Sequence, residues 1–426
     1  LGGAVMSEIF YRSGLPTERC LAVIAYPDRT AVGVRTAPNL IRPAHLFRYL
    51  KLGMHKELKL SLDYFLSRQI ENKVFPGSYK GKEKYQKSLE YFAKTYAKLC
   101  AVMEEEYIFN WLAWDGDNML ASGGILDYGS IRRFAAKHDK YRYEDTDRFS
   151  TCLTEQRLEA RRIVQTFAQV IDFVITGKKK NLKKFERHQS LRFFDQSFEE
   201  EVHNRMLWRM GFEPHQIYKL LTKHPKKVQE FRKVLNYFEG IKSVKGEVKL
   251  PDGIDHPPIF LVRHILRELP NFIIQNKDKD RWPIMPPEGF CHVLLASYVD
   301  RQDMVLNDTR KQKSLHYQLL FRELIKLVGG DEYQILYKIA ERSSVINYEN
   351  RSTGDGLTWI INEAIKHMDK MKQDEFQETI ERFILSQVLT PGEWNPISPG
   401  ELKGSSMSSR LLRKMHEQLQ MYNEMI

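Results

Sequence analysis

Residues 115–129 read DGDNMLASGGILDYG, with Asp115, Asp117 and Asn118 at one end, Asp127 at the other and four glycines among them. Met119-Leu120-Ala121 and Gly124-Ile125-Leu126 have the length and apolar character of two short strands joined through Ser122-Gly123. A tight hairpin of this kind returns the chain alongside itself, so Asn118 and Asp127 are expected to face each other at the roughly 5 Å of a cross-strand pair. Two oxygen donors converging from a rigid turn suit Mg²⁺, which takes few protein ligands and completes its shell with water and substrate phosphates. Asp117, one residue earlier, points elsewhere and is a candidate proton acceptor or nucleotide contact.

An Asp and a metal-binding Asn that precede a short hairpin, with a D-F-G-type Asp at its end, follow the order of protein-kinase-like phosphoryl transfer. Here D-Y-G at 127–129 stands for D-F-G. A lone D-x-G is common and by itself reads as an exposed acidic turn. The combination of Asp-Asn, a hairpin-length apolar spacer and D-Y-G, directly after a long amphipathic helix, is far more specific.

Around this stretch lie 426 residues, 42% hydrophobic and 12% aromatic, enough for a large core divided between two or more lobes. No window approaches the run of roughly 18 to 20 apolar residues that spans a membrane, and a cytoplasmic location is expected. The formal charge of +11 favours anionic partners, but it is dispersed along the chain and no nucleic-acid motif accompanies it, so nucleic acid is not expected as a partner. The densest cluster, Lys178 to Lys184, reads as a solvated helix end. Cys20, Cys100, Cys152 and Cys291 show neither C-x-x-C nor zinc-type spacing, as for small apolar residues in a reducing compartment.

Apolar periodicity predicts helices over 56–70, 86–106, 155–175, 217–238, 259–269, 315–328, 357–371 and 410–425. LAVIAY and TAVGVR, flanking Pro27-Asp28-Arg29, predict a β-hairpin, and a helix is expected to end before Gly14. His264, His316 and His367 fall within helical stretches and read as packed or surface residues. The fold class is therefore α+β and predominantly helical: a small mixed part, then a helical body. Residues 1–245 are expected to hold the nucleotide and metal chemistry, and 246–426 to form a helical C-terminal region.

Three segments resemble the selenoprotein O (SelO) family, kinase-fold proteins that transfer AMP to protein hydroxyl groups. The family's T-D-N-M and I-D-Y-G are similar to GDNM at 116–119 and LDYG at 126–129. Its S-E-x-M-x-x-L-G-I-P-T-T-R-A-L is similar to SEIFYRSGLPTERCL at 7–21. Its R-V-A-x-S-H-I-R matches RTAPNLIR at 35–42 in spacing. The resemblance covers about residues 5–130. It implies a protein-kinase-like fold with a partial N-lobe, a helical C-lobe and a helical C-terminal extension. It also implies that Asn118 and Asp127 bind Mg²⁺ or Mn²⁺, that Asp117 is the base for the target hydroxyl, and that Arg35 and Arg42 contact the phosphates of ATP. Asp127 would thus serve nucleotide and metal together.

The phosphate loop and the Lys–Glu pair of such sites would lie before Leu1, so the chain is expected to be an N-terminally truncated or diverged member. Asp115 stands where the family usually has Asn. After D-Y-G only HDKYRY at 138–143 shows a faint likeness to the family, and substrate docking through that segment is left open. Three readings follow from the sequence: AMP transfer from ATP to protein Ser, Thr or Tyr hydroxyls, ordinary phosphoryl transfer to protein, or a nucleotide-binding pseudokinase scaffold without turnover. A basic nucleic-acid-binding protein is supported by net charge alone.

Overall fold

The computed structural model describes residues 1–28, 30–110, 114, 116–128, 131–137, 153–244, 256–278, 281–352 and 356–422. The chain forms two units, Leu1–Arg132 with Glu144–Glu201, and Arg133–Tyr143 with Val202–Ile426. Most described residues are helical and the strands are short, giving the α+β, predominantly helical class that the periodicity predicts.

In the first unit, α1 (Gly2–Arg12) leads into a hairpin of β1 (Arg19–Ala25) and β2 (Ala31–Thr36). This ribbon leaves Leu21, Ile24, Val32 and Val34 exposed. Three helices follow: α2 (Pro43–Leu52), α3 (His55–Glu71) and α4 (Gly81–Glu105). Pro43 opens α2, where its missing N–H is no loss and its φ is already helical. Next come β3 (Ile108–Asn110), the pair β4 (Met119–Leu120) and β5 (Gly124–Ile125), and β6 (Ile131–Arg133), which pairs with β3. The long helix α5 (Leu153–Thr176) follows, and α6 (Gln189–Arg209) begins in this unit and ends in the second.

The core of this unit is aromatic. Leu89, Phe92, Tyr96, Leu99 and Met103 recur every three or four residues along α4, and all are buried. On α5 the stripe from Ile163 through Phe167 to Val174 is likewise buried, whereas Leu158, expected on it, lies exposed. Phe92 and Phe167 stack at 3.8 Å, with Phe65 of α3 at 5.4 Å from Phe92 and Phe47 of α2 at 5.1 Å from Phe167. Four helices are thus tied through one stacked pair of rings. The buried Gln156 side chain completes β3, accepting from the Asn110 N–H at 2.9 Å and donating to the Ile108 carbonyl. The basic run after α5 is partly a tether: Lys180 pairs with Asp172 at 2.7 Å and Lys179 donates to the Lys51 carbonyl at 2.8 Å.

The second unit holds α7 (Pro214–Lys223), α8 (Pro225–Glu239), α9 (Val262–Gln275), α10 (Pro287–Leu294) and α11 (Asp308–Val328). It continues with α12 (Glu332–Ile346), α13 (Gly356–Met368), α14 (Gln373–Gln387), α15 (Pro399–Lys403) and α16 (Met407–Tyr422). The single helix expected over 217–238 is two, because Pro225 lacks an N–H and forces His224 out of helical geometry, at φ −133° and ψ 39°. Phe238 centres the packing, with Phe290 at 5.4 Å and Phe260 at 5.7 Å. Leu411, Met415 and Leu419 of the last helix are buried, and α16 packs on α13 and α14. His316 pairs with Glu230 at 3.2 Å, while His264 and His367 meet backbone carbonyls. Cys100 and Cys291 are buried, Cys20 is half-buried, and Cys152 lies outside the described residues. No helix among the described residues is long and apolar enough to cross a membrane.

Ser398 caps α15 in a reciprocal box with Glu401, whose carboxylate also takes the Arg382 guanidinium at 2.8 Å. Those donors, Arg382 first, lower the Glu401 pKa to about 2. A carboxyl with a depressed folded pKa stabilises the fold above its unfolded value and loses that contribution as pH falls toward the folded value. Glu401→Gln is therefore expected to cost about 1 to 2 kcal/mol at neutral pH. The gap in melting temperature between wild type and variant should close as pH falls from about 4.5 to about 2.

Candidate active site

Asp117, Asn118 and Asp127 sit at the open end of the β4–β5 hairpin, and the hairpin's register differs from that read in the sequence. Met119 pairs with Ile125 and Leu120 with Gly124, and the Leu126 N–H donates to the Asn118 carbonyl at 3.2 Å. Leu126, not Asp127, therefore lies opposite Asn118, and Asp127 is one residue further along. The connection is three residues rather than two. Ala121 is withdrawn from the ladder because its N–H donates to the Ile41 carbonyl at 2.7 Å. Gly123 closes the loop at φ +80°, its N–H bonded to the Leu120 carbonyl, as a turn that ends in a left-handed residue requires.

The hairpin is held from three directions. Beneath it, the buried Tyr96 hydroxyl of α4 donates to the Leu120 carbonyl at 2.8 Å. Beside it, the segment before β1 runs parallel to β5: Ile125 donates to the Pro16 carbonyl at 3.1 Å, and Glu18 donates to the Ile125 carbonyl at 3.2 Å. Thr17 adds a side-chain hydrogen bond to the Tyr128 hydroxyl. Across from these, the start of α2 is joined to it by the Ala121–Ile41 bond and by Ala44, which donates to the Gly116 carbonyl at 2.9 Å. Those links bring Arg42, at the head of α2, to the acidic end of the hairpin.

Arg42 Nη1 donates to Asp117 Oδ1 at 3.1 Å. Both side chains are well exposed, at 33% and 59%, and such a pair contributes about 0 to 1 kcal/mol. Arg35 is held differently. Its Nε donates to the Glu18 carboxylate at 2.7 Å, and its Nη2 reaches Glu18 Oε1 at 2.6 Å and the Leu126 carbonyl at 2.7 Å. Glu18 is only 4% exposed while Arg35 is 42% exposed, so a buried acid is held by a guanidinium that still reaches solvent. Burial raises the Glu18 pKa, with Arg35 and Arg42 opposing. The hydrogen bond to Glu18 strengthens the Arg35 cation, and Tyr128 and Asp127 are close enough to add to the effect.

All five residues singled out in the sequence thus belong to the first unit, and Arg42 with Asp117, and Arg35 with the Leu126–Asp127 end, are brought together. The sequence reading passed over Glu18, whose signal was available: it stands in T-E-R where the family motif has T-T-R. It also passed over Tyr96 as more than a core residue. The candidate docking segment HDKYRY, together with Trp111, Asp115 and Gly129, lies outside the described residues. Among the described residues, no group of three or more His, Cys, Asp or Glu side chains is arranged to hold a metal ion.

The hairpin thus carries Asp and Asn before it and D-Y behind it, with Arg35 and Arg42 beside it. The model of the protein adenylyltransferase SelO family matches residues 3–242, more than half of the chain, and the protein belongs to that family. The match reaches well past the 5–130 stretch covered by the short motifs. No individual curated protein matches the chain. Membership carries the enzyme class, protein adenylyltransferase, with ATP and proteins as its substrates.

The tightest point of the hairpin yields a prediction. A Cβ on Gly123 would lie 2.2 Å from Thr95 Cγ2, at a φ that L-residues rarely adopt. Gly123→Ala is expected to lower stability by about 2 to 4 kcal/mol, read as a fall in melting temperature. Adding Thr95→Ser, which removes the clashing methyl, should recover part of that loss and leave the backbone share.

Proposed function

We propose that this chain transfers the AMP moiety of ATP to Ser, Thr or Tyr hydroxyls of proteins, with Mg²⁺ or Mn²⁺, through the Asp117–Asp127 hairpin. The observation that carries the reading is the convergence of Arg42 on Asp117 and of Arg35 on the residue before Asp127, inside the family-matched region. In this reading residues 1–245 form the nucleotide and metal region of a protein-kinase-like fold, and 246–426 its helical extension.

The target hydroxyl oxygen attacks the α-phosphorus. Its proton passes to Asp117, the bond from the α-phosphorus to the bridging oxygen breaks, and pyrophosphate leaves. Asp117 is exposed, as a group that meets a protein-borne hydroxyl must be. The weak Arg42–Asp117 pair can exchange for a phosphate at little cost, and a guanidinium grips phosphate through two N–H groups at once. Arg35 has Nε and Nη2 committed, which leaves Nη1 for a phosphate oxygen.

The Asn118 amide oxygen and the Asp127 carboxylate, both half-buried, are hard oxygen donors and fit a divalent cation that brings phosphate and water ligands with it. Such a cation would neutralise charge on the α-phosphate and the departing pyrophosphate. The chain's own groups do the rest: they hold the phosphates, accept the proton and fix the hairpin.

ATP labelled at the α- or the γ-phosphate, incubated with Mg²⁺ and a mixture of candidate protein acceptors, tests the reading. Protein-bound α-label is expected, falling at least about 100-fold in Asp127→Ala. Arg42→Ala should raise KM for ATP more than it lowers kcat. Protein-bound γ-label without α-label would mean ordinary phosphoryl transfer and sink the proposal. Neither label, with no rise in melting temperature on adding ATP, would leave a scaffold.

A further inference from the structure

Arg42 and Arg35 reach the site through unlike partners, one an exposed aspartate, the other a buried glutamate. We propose that Glu18 is a positioning residue: it fixes the Arg35 guanidinium against the Leu126 carbonyl and so sets the Asp127 end of the hairpin for the metal. This rests on the function proposed above.

Two features argue for a fixed clamp rather than a carboxylate that gives way to phosphate. Glu18 takes both Nε and Nη2 of the fork, and its side chain is almost wholly out of solvent. If a phosphate displaced it, an ionised carboxylate would be left buried without its partner. Its backbone is fixed as well, since the Glu18 N–H donates to the Ile125 carbonyl, one residue before Leu126. Glu18 thus grips the hairpin twice, directly through its own N–H and indirectly through Arg35. Of the elements around it, β2 supplies Arg35, the head of α2 supplies Arg42, and Tyr128 lies near enough for its own ionisation to feel the Glu18 charge. Burial outweighs the arginines and raises the Glu18 pKa. A carbonyl held one residue before a ligand acts as an outer partner of a metal site does, aiming the ligand without touching the ion.

Mn²⁺ affinity in the presence of a non-hydrolysable ATP analogue, measured on the full chain by electron paramagnetic resonance, tests this. Glu18→Gln, which removes the charge and keeps the shape, is expected to weaken Mn²⁺ binding about 10-fold or more. Arg35→Lys, whose single amine cannot span Glu18 and the Leu126 carbonyl as the fork does, should weaken it to a similar degree. The double variant should be no worse than the poorer single one, because the two side chains act as a unit. If Glu18→Gln fails to fold, as judged by circular dichroism and its melting temperature, Arg35→Lys carries the test alone.

Unchanged Mn²⁺ affinity in a folded Glu18→Gln or Arg35→Lys, or losses that add in the double variant, would overturn the clamp while the AMP-transfer reading stood. No Mn²⁺ binding by the wild type with the analogue present would overturn both, since the clamp would then have nothing to position.

Discussion

Ala121 donates its N–H to the Ile41 carbonyl rather than across the hairpin, and the arrangement of the charged groups follows from that bond. It lengthens the turn to three residues and slides the ladder by one, so that Asn118 meets Leu126. It also pins the chain just before Arg42 to the hairpin, which is why that guanidinium reaches Asp117. Gly123 makes the bond possible, because a left-handed residue must close the longer turn and a side chain there would collide with Thr95. Behind it stands the aromatic core. Tyr96, packed 5.8 Å from Phe167, carries the rigidity of four helices to the Leu120 carbonyl through one hydroxyl.

How much of this was legible depends on whether the determining contact is local. The helices α3, α4 and α5 were readable because their apolar residues recur on one face, and the β1–β2 hairpin because Pro27 and Asp28 mark its turn. Local chemistry also divides α7 from α8, and there the periodicity from Ile217 to Phe238 masked what Pro225 alone decides. The hairpin itself was visible in its glycines, but its register was not. A two-residue and a three-residue turn fit the same letters, and a partner 80 residues away, Ile41, chooses between them. Arg35 and Arg42 came from likeness to a motif. That one would be clamped and the other exchangeable could not be read without knowing what lies opposite each. Glu18 was visible as a departure from T-T-R, yet only its burial gives the letter meaning.

The two arginines illustrate how burial sorts charges of one kind into different uses. An exposed pair is worth little, so the Arg42–Asp117 contact holds neither side chain firmly. Glu18 is buried although Arg35 is not, so parting them would strand a carboxylate out of solvent, and the contact acts as a fixture.

The charge within the site runs against that of the whole chain, and the contrast bears on what the site can accept. At +11 the chain as a whole attracts anions over long range. Around the hairpin, however, the described side chains are three carboxylates, Glu18, Asp117 and Asp127, against two guanidinium groups, Arg35 and Arg42, with one of the latter already committed to the buried acid. A field screened over about 10 Å brings an anion to the surface, but the side chains beside the hairpin decide what it meets there.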